Sequence, residues 1–265
     1  MIAAGGTGGH VYPAIAAAEA LFIRQPNAKL MFVGSVGGFE RPLLDEASLS
    51  FENYDEVRAG PLHGVSPLTM LGSIVQLIIG TLQALGLILR RKPDVILLTG
   101  GWVGLPVALS GWLLRVPSLI YLPDIEPGLA IKILRHFATR VAVTADASKQ
   151  YFRAGQAVVT GYPTRDSLKR ATRAAAIEHF GLDPARKTML VWGGSRGART
   201  INHALLDALP ELLAFGVQII HVTGTLDWGD LQKRAEDLGM GRVEAFRHYR
   251  PYAYLHDDVG LALAA

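Results

Sequence analysis

Gly5-Gly6-Thr7-Gly8-Gly9-His10, entered from the short apolar run Met1-Ile2-Ala3-Ala4, reads as a strand passing through a glycine turn into a helix. A second turn of the same kind, Gly193-Gly194-Ser195-Arg196-Gly197, follows the apolar run Met189 to Trp192. Glycine lets the backbone turn tightly and bare its N–H groups, and a helix N-terminus adds partial positive charge, so each turn is suited to hold an anion. Two such turns in one chain predict two α/β domains.

The rest of the chain follows that rhythm. Short β-branched runs at Lys29 to Val33, Val95 to Thr99, Ser118 to Tyr121, Val141 to Thr144, Val158 to Thr160, Gln218 to Val222 and Arg242 to Phe246 alternate with longer helical patterns. This is the βαβ pattern of a parallel sheet. The turn-rich stretch Gly161-Tyr162-Pro163-Thr164-Arg165 interrupts it and sets the expected domains at 1–160 and 161–265. Pro13 sits near the first turn of the helix after His10, and Ile201, Leu205, Leu209 and Leu212 make one apolar face after the second glycine turn. Asp258 to Ala262 reads as the fourth strand of the second domain. Sheets of this type have about six strands, so the reading predicts an incomplete second domain with an unpaired apolar edge at Val259 to Ala264. The first strand is also short against the usual length of about five or six residues, which suggests a natural start further upstream.

Composition narrows the classes. Half of the 265 residues are hydrophobic, enough for a sizeable core. With no cysteine there is no disulfide framework, thiol nucleophile or cysteine-ligated metal. The 26 basic residues exceed the 23 acidic ones by three without forming a long basic block, so no nucleic-acid partner is expected. Nothing ahead of the first glycine turn has the charged and apolar regions of a secretory signal.

Thr69 to Leu89 carries no charge and is followed by Arg90-Arg91-Lys92. Thr69, Ser73, Gln76, Gly80 and Gln83 recur at spacings of three and four, while Met70, Ile74, Leu77, Ile78 and Leu85 fill the remainder. The pattern predicts an amphipathic helix whose apolar side meets a membrane surface, with a buried helix and a true span as alternatives. The basic triplet suits anionic headgroups. A dinucleotide oxidoreductase fits poorly, because it needs an acidic ribose ligand about 20 residues after the glycine turn; Gln25, Asn27 and Lys29 stand there, with no acid between Glu19 and Glu40.

Six strings, Gly5 to Pro13 (GGTGGHVYP), Gly34 to Glu40 (GSVGGFE), Thr99 to Pro106 (TGGWVGLP), Pro127 to Ala130 (PGLA), Gly161 to Arg165 (GYPTR) and Gly193 to Asn202 (GGSRGARTIN), resemble the MurG family in order and spacing. The resemblance implies a glycosyltransferase-B fold of two Rossmann-like domains. It implies an inverting enzyme that moves N-acetylglucosamine from UDP-N-acetylglucosamine onto the lipid-linked muramyl-pentapeptide precursor of peptidoglycan, at the cytoplasmic face of the membrane. The alternatives are a catalytically inactive lipid-diphosphate-binding protein and a related transferase with a different lipid acceptor.

Site residues follow from the same resemblance. Gly5, Gly6, Thr7, Gly8, Gly9, Gly100, Gly101 and Trp102 would face the acceptor diphosphate. His10 is the leading general base, because imidazole suits removal of the acceptor hydroxyl proton; capping its helix or binding a phosphate are the other readings. Asp124 and Glu126, after the Ser118 to Tyr121 strand, are competing bases. Here Leu122-Pro123-Asp124 departs from the family's Glu-Gln-Asn, and a carboxylate beside a diphosphate suggests a different acceptor. Gly194, Ser195 and Arg196 would meet the donor diphosphate, Arg165 would add a charged contact, and Phe246 and Arg247 would border the uracil. No Asp-x-Asp motif ends a strand, and Asp227, Asp230, Asp257 and Asp258 read as ordinary loop and helix-start acids. No metal and no cofactor is expected.

Overall fold

The computed structural model describes every residue except 39, 46, 48, 165, 195–196, 238–246 and 256–257. Its strands and helices fall in two units, Met1–Arg165 and Asp166–Ala265. In the first unit the chain runs β1 (Ile2–Ala4), α1 (Gly8–Arg24), β2 (Met31–Ser35), α2 (Glu40–Asp45), β3 (Asn53–Val57), α3 (Pro67–Arg91), β4 (Ile96–Gly100), α4 (Gly104–Leu113), β5 (Ser118–Leu122), α5 (Leu129–Leu134), β6 (Arg140–Val143), a 3-10 turn at Asp146–Tyr151, and β7 (Ala157–Val159).

These seven strands form one parallel sheet in the order β3-β2-β1-β4-β5-β6-β7. Strand β1 is central although it has only three residues. It is Ile2, Ala3 and Ala4, all buried, and alternate side chains feed opposite cores. Ala3 joins Val33, Leu98 and Ile120 under α3 and α4. Ile2 and Ala4 join Val11, Ile15 and Phe32 under α1. The chain leaves β1 toward β2 and β3, then returns to add β4 on the other side. That reversal opens a crevice at the carboxyl ends of β1 and β4, where the two loops part.

The second unit contains α6 (Asp166–Arg170), α7 (Arg173–Phe180), β8 (Thr188–Trp192), α8 (Arg199–Ala214), β9 (Gln218–Val222), α9 (Trp228–Asp237), β10 (Tyr249–Tyr252) and α10 (Val259–Ala264). Among the described residues its sheet has three parallel strands, β10-β9-β8.

Several expectations are corrected. Val259–Ala264 is a helix, not a strand with an open edge: Val259 and Ala262, three apart, pack with Phe180 and Leu255, and the run holds Leu and Ala rather than a series of β-branched residues. Strands β3 and β10 escaped the pattern because Asn53-Tyr54-Asp55-Glu56 and Arg250-Pro251 interrupt any apolar run. Arg242 to Phe246 lies outside the described residues. On α8 the buried face is Leu205, Leu206, Leu209 and Leu213, and Ile201 is exposed.

Helix α3 is oriented by its small residues. Ser66 caps it, its hydroxyl accepting from Thr69 N–H at 3.3 Å. Ser73, Leu77, Gly80, Ala84, Leu87 and Ile88 turn inward. Gly80 is required there, because a Cβ would stand 1.9 Å from the carbonyl oxygen of Arg58. Leu77 therefore belongs to the buried face, while Leu71, Ile74, Val75, Ile78 and Leu82 are exposed.

Candidate functional site

The loop after β1 and the loop after β4 are joined at the switch point. Gly5 N–H donates to Gly100 O at 3.2 Å, and Thr99 Oγ1 donates to His10 O at 2.7 Å. Gly6 N–H is also engaged, by Glu40 Oε1 at 3.2 Å. Of the first-loop N–H groups expected at a diphosphate, Gly5 and Gly6 are thus spent inside the protein. Gly8 and Gly9 open α1, where N–H groups have no intrahelical acceptor and carry the positive end of the helix dipole.

His10 is half-buried, and its Nδ1 lies 2.8 Å from Gly5 O and 3.2 Å from Thr7 Oγ1. A carbonyl oxygen only accepts, so Nδ1 carries a proton, and in the neutral ring Nε2 keeps its lone pair. That tautomer is the one a general base needs.

A cavity of about 440 Å³ lies over this junction. Gly6, Thr7, His10, Gly100, Gly101, Trp102 and Asp124 line it, with Leu122, Leu129 and Ile131 as an apolar wall. Gly5 stands behind the loop, and neither Gly8, Gly9 nor Glu126 is among the lining residues. Glu126 instead pairs with Lys132 at 3.2 Å on the surface. The two acids put forward as bases are therefore placed differently: Asp124 at the cavity, Glu126 in an ion pair outside it.

Two polar lining residues, His63 and Thr99, were not read as site residues from the sequence. His63, between β3 and α3, enters the cavity wall; only the turn-rich Gly60-Pro61-Leu62-His63-Gly64 signalled it. Thr99 is the buried anchor of the His10 backbone.

In the second unit, Gly194 turns the chain with φ of 87° after β8, and its carbonyl accepts from Gly197 N–H at 3.0 Å. Ser195, Arg196, Arg165 and Phe246 lie outside the described residues. Arg247 is described, with its Nε donating to His248 Nε2 at 3.1 Å. Beneath the loop is a polar network. Asn202, fully buried on α8, donates to Thr223 O at 2.8 Å and Asp227 Oδ2 at 3.1 Å, while Arg199 Nε donates to Asp227 Oδ1 at 2.9 Å. His221 Nε2 lies 3.0 Å from Asn202 Oδ1 and its Nδ1 2.8 Å from Tyr249 Oη. Burial pulls the His221 pKa down to about 4, so it is a neutral structural bridge. Asp227 directly precedes α9, in keeping with its reading as a helix-start acid, and is in addition a buried acceptor that fixes α8 below the glycine turn. Asp230 is exposed, and Asp258 pairs with His179 at 3.4 Å; Asp257 lies outside the described residues.

The basic triplet that closes α3 is partly committed. Asp55 holds Arg91 at 3.2 Å and Arg90 at 3.8 Å, leaving Lys92 exposed.

Parallel Rossmann-like sheets with glycine turns into helices after β1 and β8 define the class: a protein of the glycosyltransferase-B fold. Residues 1–143 match the glycosyltransferase family 28 N-terminal domain. The chain is 40% identical to the UDP-N-acetylglucosamine–N-acetylmuramyl-(pentapeptide) pyrophosphoryl-undecaprenol N-acetylglucosamine transferase of Roseiflexus sp. strain RS-1, covering 95% of this chain and 65% of that one. It is 36% identical to the enzyme of the same name from Desulforudis audaxviator, over 100% of this chain and 70% of that one. The crystal structure of Acinetobacter baumannii MurG superposes with a TM-score of 0.65 at 23% identity, covering 98% of this chain and 69% of that one. The chain belongs to the MurG family of glycosyltransferases. It spans between 65% and 70% of the length of these relatives.

Proposed function

We propose that this chain serves the inverting transfer of N-acetylglucosamine from UDP-N-acetylglucosamine to the lipid-linked muramyl-pentapeptide precursor, converting lipid I to lipid II in peptidoglycan synthesis. The observation that carries the reading is the His10 Nδ1–H bond to Gly5 O, which leaves Nε2 as a proton acceptor at the cavity over two glycine loops.

In this reading the acceptor diphosphate lies against the N–H groups of Thr7, Gly8 and Gly9, beside Gly100, Gly101 and Trp102. The acceptor hydroxyl oxygen attacks the anomeric carbon of the donor sugar while its proton passes to His10 Nε2. The bond from that carbon to the UDP oxygen breaks, and its electron pair leaves with the β-phosphate. Gly194, Ser195 and Arg196, with the N-terminus of α8, stabilise that charge; Arg165 adds a charged contact, and Phe246 and Arg247 border the uracil. Asp124 serves as a hydrogen-bonding residue for the acceptor, and its place at the cavity favours, as a second reading, a family member with a different lipid acceptor. The exposed apolar face of α3 seats the protein peripherally on the cytoplasmic leaflet.

The test is sugar transfer from labelled UDP-N-acetylglucosamine to lipid-linked muramyl pentapeptide. Formation of labelled lipid with release of UDP is the expected result. Transfer only to another polyprenyl diphosphate would establish the second reading, and lipid binding without transfer would reduce the chain to a lipid-diphosphate binder.

A further inference from the structure

Gly34-Ser35-Val36-Gly37-Gly38-Phe39-Glu40 is a motif of the first unit that the transfer scheme leaves without a task. Glu40 opens α2, yet it is fully buried rather than solvated at the helix start. Its Oε1 accepts from Gly6 N–H at 3.2 Å. The carbonyl of that same peptide group, Gly5 O, is the acceptor for His10 Nδ1–H at 2.8 Å. Carboxylate, peptide and imidazole therefore stand in series, one hydrogen bond on each side of a single amide.

The surroundings are shaped for the carboxylate. A Cβ on Gly5 would lie 2.5 Å from Oε1, and one on Gly38 would lie 1.8 Å from Oε2, so both glycines keep the space that the acid occupies. Oε2 has no hydrogen-bond partner among the described residues, which leaves Gly6 N–H as the carboxyl group's partner there. A buried acid with one oxygen unpartnered is costly, and a merely structural tether of α2 to the loop would be served by a neutral amide.

We propose that Glu40 is a positioning residue for His10: its charge, acting through the Gly5–Gly6 peptide, polarises the carbonyl that holds the Nδ1 proton and so fixes the imidazole tautomer with Nε2 facing the cavity. Hydrogen bonds in a chain strengthen one another in this way when the interior is poorly polarisable. The inference rests on the reading of His10 as the base, and the arrangement does for an imidazole what a directly bonded carboxylate does in a Ser-His-Asp triad, with an amide interposed.

The experiment is a two-bond 1H–15N correlation spectrum of His10 in the wild-type chain and in Glu40→Gln at about pH 8.5, where imidazole is ordinarily neutral. The wild type is expected as the Nδ1–H tautomer, and Glu40→Gln as a mixture with a raised Nε2–H population. In the transfer reaction Glu40→Gln should lower kcat by roughly tenfold with little change in KM for UDP-N-acetylglucosamine, and should have no further effect in a His10→Ala background. An unchanged tautomer in Glu40→Gln, or an equal loss of kcat with and without His10, overturns the proposal. If His10→Ala alone left turnover intact, it is the base reading that would fail, and the tautomer comparison would still decide the relay. Should Glu40→Gln not fold, an Nε2–H tautomer in the wild-type spectrum overturns the relay by itself.

Discussion

Gly100 lies so close to the imidazole of His10 that a Cβ added to it would stand 2.2 Å from the ring's Cδ2. Its φ is 138°, a backbone conformation that side chains resist. The carboxyl end of β4 thus serves as the flat floor on which the His10 ring rests. Gly100→Ala is expected to push the ring off Gly5 O and to add backbone strain of about 1–3 kcal/mol. A fall in transfer of tenfold or more, on the order of what misplacing a base costs, should accompany a modest loss of thermal stability. Full activity in Gly100→Ala would show that the ring position does not matter.

His10 itself gives the sharper test. A group that takes a proton only as the reaction proceeds contributes to the transition state, so its loss should appear in kcat. His10→Ala is expected to lower kcat by roughly 10²-fold or more while calorimetric binding of UDP-N-acetylglucosamine stays as in the wild type. If lipid-acceptor binding falls by the same factor as turnover, His10 acts as an acceptor ligand.

The glycine turns were legible because a phosphate-type loop needs glycine at fixed places, and strands β4, β5 and β9 because they are short, mostly buried segments rich in Ile, Leu and Val. The placement of Leu77 was not. A helix with a small-residue stripe can pack by that stripe or by its bulky side, and the choice depends on the Arg58 carbonyl that only Gly80 can approach. Strand β3 was hidden because Asn53, Asp55 and Glu56 are polar or charged and only Val57 is buried. Glu40 was visible as part of a motif, but its burial against Gly6 is a contact 34 positions away in sequence that no local pattern encodes. The burial of Asp227 was missed for the same reason, since its partners Arg199 and Asn202 lie on another helix.

His221 makes the second unit sensitive to acid. Its folded-state pKa is pulled by burial from 6.5 to about 4, so between those values the unfolded chain binds a proton that the folded chain refuses. The stabilisation is complete above about pH 6.5 and drains away as pH falls toward about 4, by at most roughly 1.4 kcal/mol per pH unit. Thermal unfolding of wild type and His221→Leu over this window should show a steeper acid loss in the wild type. The variant should be less stable near neutrality by about 1–3 kcal/mol, because Tyr249 Oη and Asn202 Oδ1 lose their buried partner. Parallel pH curves for the two proteins would exclude His221 as the titrating group.

The outward face of α3 is the remaining feature whose energetics point beyond the chain. Ile78 is 58% exposed and Leu82 66% exposed, one turn apart, and Leu71 and Val75 continue the same exposed face. An apolar stripe this long is unfavourable in water and favourable at a lipid interface. Exchanging Ile78 and Leu82 together for Glu should therefore leave the melting temperature close to that of the wild type, since neither is buried, and should abolish co-sedimentation with vesicles containing anionic lipid. Leu77→Glu should do the opposite. Leu77 is 8% exposed, so a carboxylate there is forced into the packing face of α3 at a cost of several kcal/mol, and unfolding rather than release from vesicles should be the first effect. Retention of the Ile78→Glu, Leu82→Glu protein on vesicles would mean that another surface holds the membrane.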